Sequence, residues 1–441
     1  MITRNIRKGK GQKLWKRAKT LIPGGNQLLS KRAEMFLPDQ WPAYFKKAKG
    51  IRVTDLDGRT YIDFSRMGIG ACVLGYADSD VNRAVKKAID RGSMSTLNSP
   101  EEVELAEVLM RLHPWADMVR YARTGGEAMS IAVRIARASS GKEKIAFCGY
   151  HGWHDWYLSG NLASDKNLDG HLLPGLEPRG VPRGLLNTAI PFRYNHIEEL
   201  EKIVKKHAIG VIVMEPYRHE EPEKDFLQNV KRIARREGAV LVFDEVSAAF
   251  RQNVGGVHLL YNVSPDIAVL AKAISNGYPM AAIIGTKKVM DAAQGTFISS
   301  TYWTERIGPV AALATINKFQ KKNVPQHLAR IGKQIEIGWK SLARKYNLHI
   351  STEGPYAMIG FSFDYKNKQE LKTLFVQEML KRGFLTELSV YVTYAHTSND
   401  VKQYLRAVDQ VFAIIQKAVA ENTVGKLLAG PVAHSGFARL A

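Results

Sequence analysis

Runs of apolar residues that end in a charge alternate along this chain with stretches whose apolar positions recur every three or four residues. The first kind reads as buried parallel strands and the second as amphipathic helices. Strand-like runs stand at 118–122 (MVRYA), 144–148 (KIAFC), 210–216 (GVIVMEP), 239–243 and 267–270, with helical spacing at 79–112, 196–207 and 226–237. Ser99-Pro100 supplies a helix start within the first of these. Five strands separated by helices predict a doubly wound, mostly parallel α/β sheet. Ahead of it, IRVTDLDGRTYIDF at 51–64 reads as a hairpin turning at Asp57-Gly58. Behind it, helical periodicity over 306–346, a strand at 356–363 and helices at 368–382 and 398–421 predict a smaller α+β domain. The expected division is an N-terminal segment (1–75) joining the small domain, a large domain (76–320) and a C-terminal small domain (321–441).

The strand ends carry the candidate chemistry. Val240 to Phe243 stops at Asp244 and Glu245, and Ile267 to Leu270 stops two residues before Lys272. Ligands of open α/β sheets bind beyond the carboxyl ends of the strands, so Asp244 and Lys272 could face one small molecule. Pyridoxal phosphate needs such a pair: an amine for its aldehyde and a carboxylate to keep its ring nitrogen protonated. An Asp after a strand can also cap the next helix, and a Lys can also snorkel. Gly125 and Gly126 open a helix directly after a strand, where free N–H groups favour an anion such as a phosphate, although a glycine there also serves plain turn geometry. Tyr150 and His151 follow another strand end and could stack on a planar ring. His151, His154 and Asp155 have no helical register to bring them together, so no metal site is expected. The glycines of Met67-Gly-Ile-Gly70 lack the spacing of a dinucleotide fingerprint.

Composition narrows the picture modestly. With 441 residues, 45% of them hydrophobic, the chain can bury a large core. An excess of 63 basic over 42 acidic side chains gives a net +21, which attracts anions of every kind. The N-terminal cluster RKGKGQKLWKRAK (7–19) reads as a solvated amphipathic helix in preference to a nucleic-acid site. Two isolated cysteines, Cys72 and Cys148, make neither a disulfide framework nor a zinc site and point to a cytoplasmic setting. No apolar run approaches the roughly 18 residues of a membrane span, so no membrane partner is expected. The long Gly-, Pro- and Asn-rich loop at 158–190 is expected to cover a site, and the tail at 425–441 carries no pattern.

Several long stretches resemble the class III aminotransferases among the fold-type-I pyridoxal-phosphate enzymes, and within them the glutamate-1-semialdehyde aminomutase branch. They are AKTLIPGG (18–25), DLDGRTYIDF (55–64), TGGEAMSIAVRIAR (124–137), GYHGWHD (149–155), LVFDEVSAAFR (241–251), PDIAVLAKAISNGYPMAAIIG (265–285) and TYAHTSNDVKQYLRAVDQVF (393–412). The resemblance implies Lys272 as the Schiff-base lysine and Asp244 as partner of the pyridine nitrogen. Val246 and Tyr150 would pack on the two ring faces. Gly125 and Gly126 would hold the phosphate together with Thr301 of a neighbouring subunit, which implies a homodimer with shared active sites. Glu127 and Glu215 match acidic positions near the cofactor. The implied activity moves an amino group from an amino-acid donor to a carbonyl acceptor, with the intramolecular aminomutase reaction as the alternative. A binding module that keeps the fold without catalysis is a third reading, which the retained lysine opposes.

The departures from the aminomutase pattern gather at the substrate end. Where that branch has a carboxylate-binding Asn-Ser-Pro-Val-Arg stretch, this chain reads NQLLSKR (26–32), leaving Ser30, Lys31 or Arg32 to compensate. STYWTERIGPVAALA (300–314) is longer and more charged than its counterpart, and FLTELSVYVTYAHT (384–397) is shorter. The expectation is the same chemistry on a different substrate, such as a keto-sugar.

Overall fold

The computed structural model describes residues 9–164, 166–171, 174–217 and 220–437. Two compact units emerge: residues 79–325, and the combination of 1–78 with 326–441.

The discontinuous unit begins with α1 (Lys10–Leu21), which buries Trp15 and Ala18 and leaves Lys13, Lys16 and Arg17 exposed. The basic cluster is thus the solvated face of an amphipathic helix, with Arg7 and Lys8 outside the described residues. Strands β1 (Phe45–Lys49), β2 (Arg52–Asp55) and β3 (Thr60–Phe64) follow as an antiparallel ladder. Asp55 closes the β2–β3 turn by accepting the N–H groups of Asp57 and Arg59, each at 2.9 Å.

The continuous unit starts with α2 (Ser79–Asp90), α3 (Pro100–Leu112), β4 (Met118–Ala122) and α4 (Gly125–Ser140). It continues with β5 (Lys144–Cys148), α5 (Asp155–Leu158), β6 (Ala189–Pro191), α6 (Ile197–Lys206), β7 (Ile209–Met214) and α7 (Phe226–Glu237). Then come β8 (Val240–Asp244), β9 (Ile267–Leu270), β10 (Ala281–Gly285), α8 (Lys287–Met290) and α9 (Ile307–Lys322). The seven strands form one sheet in the order β4-β10-β9-β8-β7-β5-β6. Only β10 runs against the others. Both faces are buried: Ile145, Phe147, Val211, Val213, Val240 and Val242 pack under α4, while Ala146, Cys148, Ile212, Met214, Leu241 and Phe243 pack with α6 and α7. A sheet covered on both sides needs unbroken apolar strands, and that is what the sequence pattern carries.

Two strands of this sheet escape the sequence pattern. β6 has three residues, too few for a period to register. β10 returns from β9 through residues 271–280, which hold a short 3-10 turn and no α-helix, and this allows the antiparallel pairing. The strand expected at 210–216 ends at Met214, leaving Glu215 and Pro216 beyond the sheet.

The chain re-enters the discontinuous unit through α10 (Val324–Lys345), β11 (Ile350–Glu353), β12 (Met358–Phe363), α11 (Lys368–Lys381), β13 (Phe384–Thr386), β14 (Ser389–Tyr391) and α12 (Ser398–Ala420). The single helical stretch expected at 306–346 is two helices, because Asn323 adopts a left-handed φ of 45° and ends α9. Parallel pairing of Phe384, Leu385 and Thr386 with Ile62, Asp63 and Phe64 completes the sheet β1-β2-β3-β13. The unpatterned tail lies along α11: Gln377 donates to the Leu427 carbonyl at 3.0 Å, and the Ala433 N–H donates to Thr373 Oγ1 at 3.0 Å. Residues 438–441 fall outside the described residues. Among the described residues, no helix is long and apolar enough to cross a membrane.

His396, fully buried against Phe64, is held as a neutral ring: its Nδ1 accepts the Thr393 N–H at 3.0 Å and its Nε2 donates to the Asp63 carbonyl at 2.9 Å. Burial, the largest cause, pushes it down to about 4, and His113 in the other unit is pushed down to about 4 for the same reason. The unfolded chain therefore takes up protons below about pH 6.5 that the folded chain refuses until about pH 4. Stability is expected to fall through that window by about 1.4 kcal/mol per pH unit for each histidine. Urea denaturation series at pH 7, 6, 5 and 4.5 read this directly, and a midpoint that stays level down to pH 5 contradicts it.

Candidate active site

Four strand ends and one helix start meet at the carboxyl edge of the large sheet. Asp244 is the last residue of β8, Lys272 comes two residues after β9, Tyr150 and His151 follow β5, and Glu215 follows β7. α4 lies beneath this edge with Gly125 and Gly126 in its first turn.

Asp244 is buried, and both its oxygens are engaged. Oδ2 accepts His151 Nδ1 at 2.8 Å and Oδ1 accepts the Val246 N–H at 3.0 Å. A buried carboxylate without such donors would be strongly disfavoured. His151, one of the two candidates to stack on a planar ring, is here the hydrogen-bond donor to Asp244. Its other nitrogen, Nε2, is buried with no partner among the described residues.

Lys272 opens a short 3-10 turn with φ at 45°, a left-handed conformation that a lysine adopts only at a cost. Its Nζ donates to Ser247 Oγ at 2.5 Å, three residues along from Asp244. The turn after β8 is set from beneath by Glu245, which is fully buried. Glu245 accepts the N–H groups of Val257 and His258, each at 2.9 Å, and His258 Nδ1 at 2.7 Å. Trp115 Nε1 donates to the other nitrogen of His258 at 2.9 Å, so the imidazole carries its proton on Nδ1.

The start of α4 is shaped for an anion. Thr124 and Glu127 form a capping box, with Glu127 Oε2 also accepting the Arg123 N–H at 3.0 Å. The N–H groups of Gly125 and Gly126 have no acceptor among the described residues. A Cβ on Gly125 would sit 2.8 Å from Val246 Cγ1, so the helix start and the Val246 side chain touch only because residue 125 is glycine. Glu215 Oε2 accepts the Tyr150 N–H at 3.2 Å, and Gly149, with φ at 123°, leaves room for that carboxylate. Burial above all, then the charges of Asp244 and Glu215, raise the Tyr150 phenol above its ordinary value.

Thr301 stands on an exposed 3-10 turn. Arg123 anchors that segment: its Nε pairs with Glu305 at 3.0 Å, and its Nη2 donates to the carbonyls of Trp303 and Glu305 at 2.9 and 2.7 Å. His154 stacks on Trp153, and its ring lies 3.4 Å from where a Cβ on Gly126 would stand. Among the described residues, no group of three His, Cys, Asp or Glu side chains is arranged to hold a metal ion. Arg123, Ser247 and the roles of His151 and Glu245 do not stand out in the sequence as functional residues. His151 alone left a usable signal, being a polar residue three positions past an apolar strand.

A family profile for aminotransferase class-III matches residues 38–412. The chain belongs to the class III aminotransferases. It is 29% identical to the 3-aminobutyryl-CoA aminotransferase of Cloacimonas acidaminovorans, across 93% of this chain and 99% of that one. It is 28% identical to the glutamate-1-semialdehyde 2,1-aminomutase of Archaeoglobus fulgidus, across 91% and 99%. The FumI protein of Sphingopyxis sp. MTA144, solved in its PLP internal aldimine form, superposes with a TM-score of 0.85 at 26% identity, covering 93% of this chain and 98% of that one. This class III enzyme therefore has the fold of type I pyridoxal-phosphate enzymes, and its chemistry is pyridoxal-phosphate-dependent amino transfer. The residues present fit that cofactor: an amine and a buried carboxylate on neighbouring strand ends, a valine and a tyrosine beside them, and two unclaimed N–H groups at a helix start.

The contact between Gly125 and Val246 gives a test. Gly125→Ala is expected to weaken pyridoxal phosphate binding about tenfold or more by pushing Val246 aside, a loss of roughly 1.4 kcal/mol. Adding Val246→Ala should return part of that loss. Equilibrium titration of the apoprotein with the cofactor measures both, and equal affinity in Gly125→Ala and wild type contradicts the assignment.

Proposed function

We propose that this enzyme moves an amino group from an amino-acid donor to a carbonyl acceptor, with Lys272 and Asp244 as its catalytic residues. The observation that carries the reading is Lys272 held in a left-handed turn beside the strand whose end is Asp244. Pyridoxal phosphate, when bound, supplies the electron sink that lets a carbon–hydrogen bond next to the amine break.

Lys272 would hold the cofactor and, once displaced by the incoming amine, act as the base that takes the substrate proton and returns it. Asp244 would keep a proton on the ring nitrogen, and His151, donating to Asp244, holds that carboxylate in place. Val246 and Tyr150 would flank the ring, while Gly125 and Gly126 would donate to the phosphate. Glu215, through the Tyr150 N–H, orients the segment that carries Tyr150.

Thr301 would complete the phosphate site of a second copy, making the working form a homodimer. In support, the segment that Arg123 anchors leaves Phe297 and Tyr302 largely exposed, as suits a surface covered by another chain. A cytoplasmic location accords with neither Cys72 nor Cys148 being in a disulfide among the described residues.

For the acceptor, a keto-sugar or another non-standard carbonyl compound suits the missing carboxylate-binding stretch at 26–32. The intramolecular aminomutase reaction is the second reading, favoured by the relative that bears that activity in its name.

The purified protein with pyridoxal phosphate is expected to show an absorbance band near roughly 410–430 nm that Lys272→Ala lacks. Glutamate or another amino-acid donor should bleach it. A band that responds only to a diamino or semialdehyde compound moves the aminomutase reading ahead, and a spectrum indifferent to Lys272 removes the enzyme assignment.

A further inference from the structure

Between α8 and α9 the chain crosses the continuous unit as a strap, residues 295–306, whose only regular element is the 3-10 turn at Thr301–Thr304. Its two feet are anchored and its middle is not. Ile298 and Trp303 pack against the core beneath α4, while the four residues between them, Ser299 to Tyr302, are all exposed. The hydroxyls of Ser299, Ser300 and Thr301 thus follow one another along an arch held at both feet.

A strap outside helix and sheet must find partners for its carbonyls elsewhere, and here arginines supply them. Three side chains from β4 and α4 reach its backbone. Arg120 Nη2 donates to the Ile298 carbonyl at 2.6 Å and Arg134 Nη1 to the Phe297 carbonyl at 3.0 Å, which fixes the first foot. The second foot depends on Arg123, through the bonds to the Trp303 and Glu305 carbonyls described above. Arg134 is exposed and Arg120 half-buried, whereas the Arg123 side chain is buried. Its ion-pair partner Glu305 also accepts the N–H groups of Ile307 and Gly308, at 2.6 and 3.0 Å, and so caps α9. One guanidinium therefore joins the end of β4, the strap and the start of α9. A planar fork can reach several acceptors at once, and a lysine at this position could not.

The place of Arg123 in the chain adds a second connection. Its N–H belongs to the capping box of α4, donating to Glu127 Oε2 at 3.0 Å, and the residues that follow are Thr124, Gly125 and Gly126. The backbone of Arg123 is thus part of the turn read above as the phosphate cradle of its own subunit, while its side chain is committed to the strap.

We propose that Arg123 is a positioning residue that acts across the dimer: its guanidinium fixes the arch that offers Thr301 to the cofactor phosphate of the neighbouring subunit. The inference rests on the reading of Thr301 as a phosphate ligand for a second copy. A free loop captured at the moment of binding loses backbone and side-chain freedom, and that loss is subtracted from affinity. An arch already clamped at both feet has given up most of that freedom beforehand. Loosening Arg123 in one subunit is then felt at the cofactor of the other.

Mixed dimers test this. Two chains with different affinity tags are co-expressed and purified on both tags, and Lys272→Ala silences the lysine-dependent absorbance band of its own site, so that the other site reports alone. With Arg123→Met and Lys272→Ala on different chains, the reporting site lies in the Arg123→Met chain but receives Thr301 from a chain whose Arg123 is intact. It should bind pyridoxal phosphate as wild type does. With both substitutions on one chain, the reporting site is unaltered but receives Thr301 from the altered chain, and its affinity should fall about tenfold. Pyridoxal, which lacks the phosphate, should bind both mixed dimers equally. A deficit that stays with the Arg123→Met chain's own site, or one that pyridoxal shows as strongly as pyridoxal phosphate, makes Arg123 a local scaffold residue and overturns the proposal. Arg120→Met frees the other foot and should give the same cross-subunit pattern even if Arg123→Met does not fold; equal affinity in its two mixed dimers also overturns the proposal. Wild type that sediments as a monomer and still shows the band removes the shared site and this inference with it. A spectrum indifferent to Lys272 removes the catalytic reading, so that failure is told apart from a failure of Arg123.

Discussion

The buried carboxylate of Asp244 is the constraint on which the rest of the site depends. A negative charge at the end of a strand whose two faces are both covered by apolar side chains is costly unless donors surround it. Here the donors come from two directions: the Val246 N–H from its own turn, and His151 from the end of β5. Meeting that need brings the end of β5 over the end of β8 and so carries Tyr150 to the same place. It also fixes the turn that points Val246 at the start of α4, where only a glycine leaves room for it. Glu245, one residue on, solves the same problem with a separate set of donors, tying the turn to residues 257 and 258 and through His258 to Trp115. Two adjacent buried carboxylates are therefore satisfied by separate sets of donors.

The fold of the large unit was open to sequence reasoning because a sheet buried on both faces writes itself as unbroken apolar runs. β4, β5, β8 and β9 were each placed within a residue or so on that ground. β10 was not, since AAIIG looks like any short apolar run, and its direction depends on a connection without an α-helix that composition does not reveal. The break at Asn323 was missed because the apolar period continues from α9 into α10 on either side of one left-handed residue. β13 shows a different limit. Its partner β3 lies more than 300 residues earlier, and pairing across such a distance leaves no local trace in the chain.

The site divides in the same manner. Lys272, Asp244, Gly125, Gly126, Tyr150 and Val246 sit in contiguous motifs because each is delivered by a strand end or a helix start, where one short segment sets both position and chemistry. Arg123 and Ser247 act instead through contacts specific to the folded chain, the guanidinium reaching carbonyls some 180 residues away. No spacing rule in a single sequence points to such a residue.

That difference explains why the cofactor end of this enzyme is easier to read than the substrate end. A cofactor presents the same aldehyde, ring nitrogen and phosphate to every enzyme that uses it, so the residues that meet it can persist as fixed local motifs. A substrate is met by side chains chosen for it alone, and these come from whichever elements the fold places nearby. Arg66 and Glu387 stand 321 positions apart in sequence, yet they are joined by two hydrogen bonds because β3 and β13 end together. Neither residue carries a motif, and the loop that follows Arg66 reads as an incomplete glycine fingerprint until its run of left-handed residues is seen. The pairing of distant strands thus brings together residues whose contacts the pattern of one sequence does not carry.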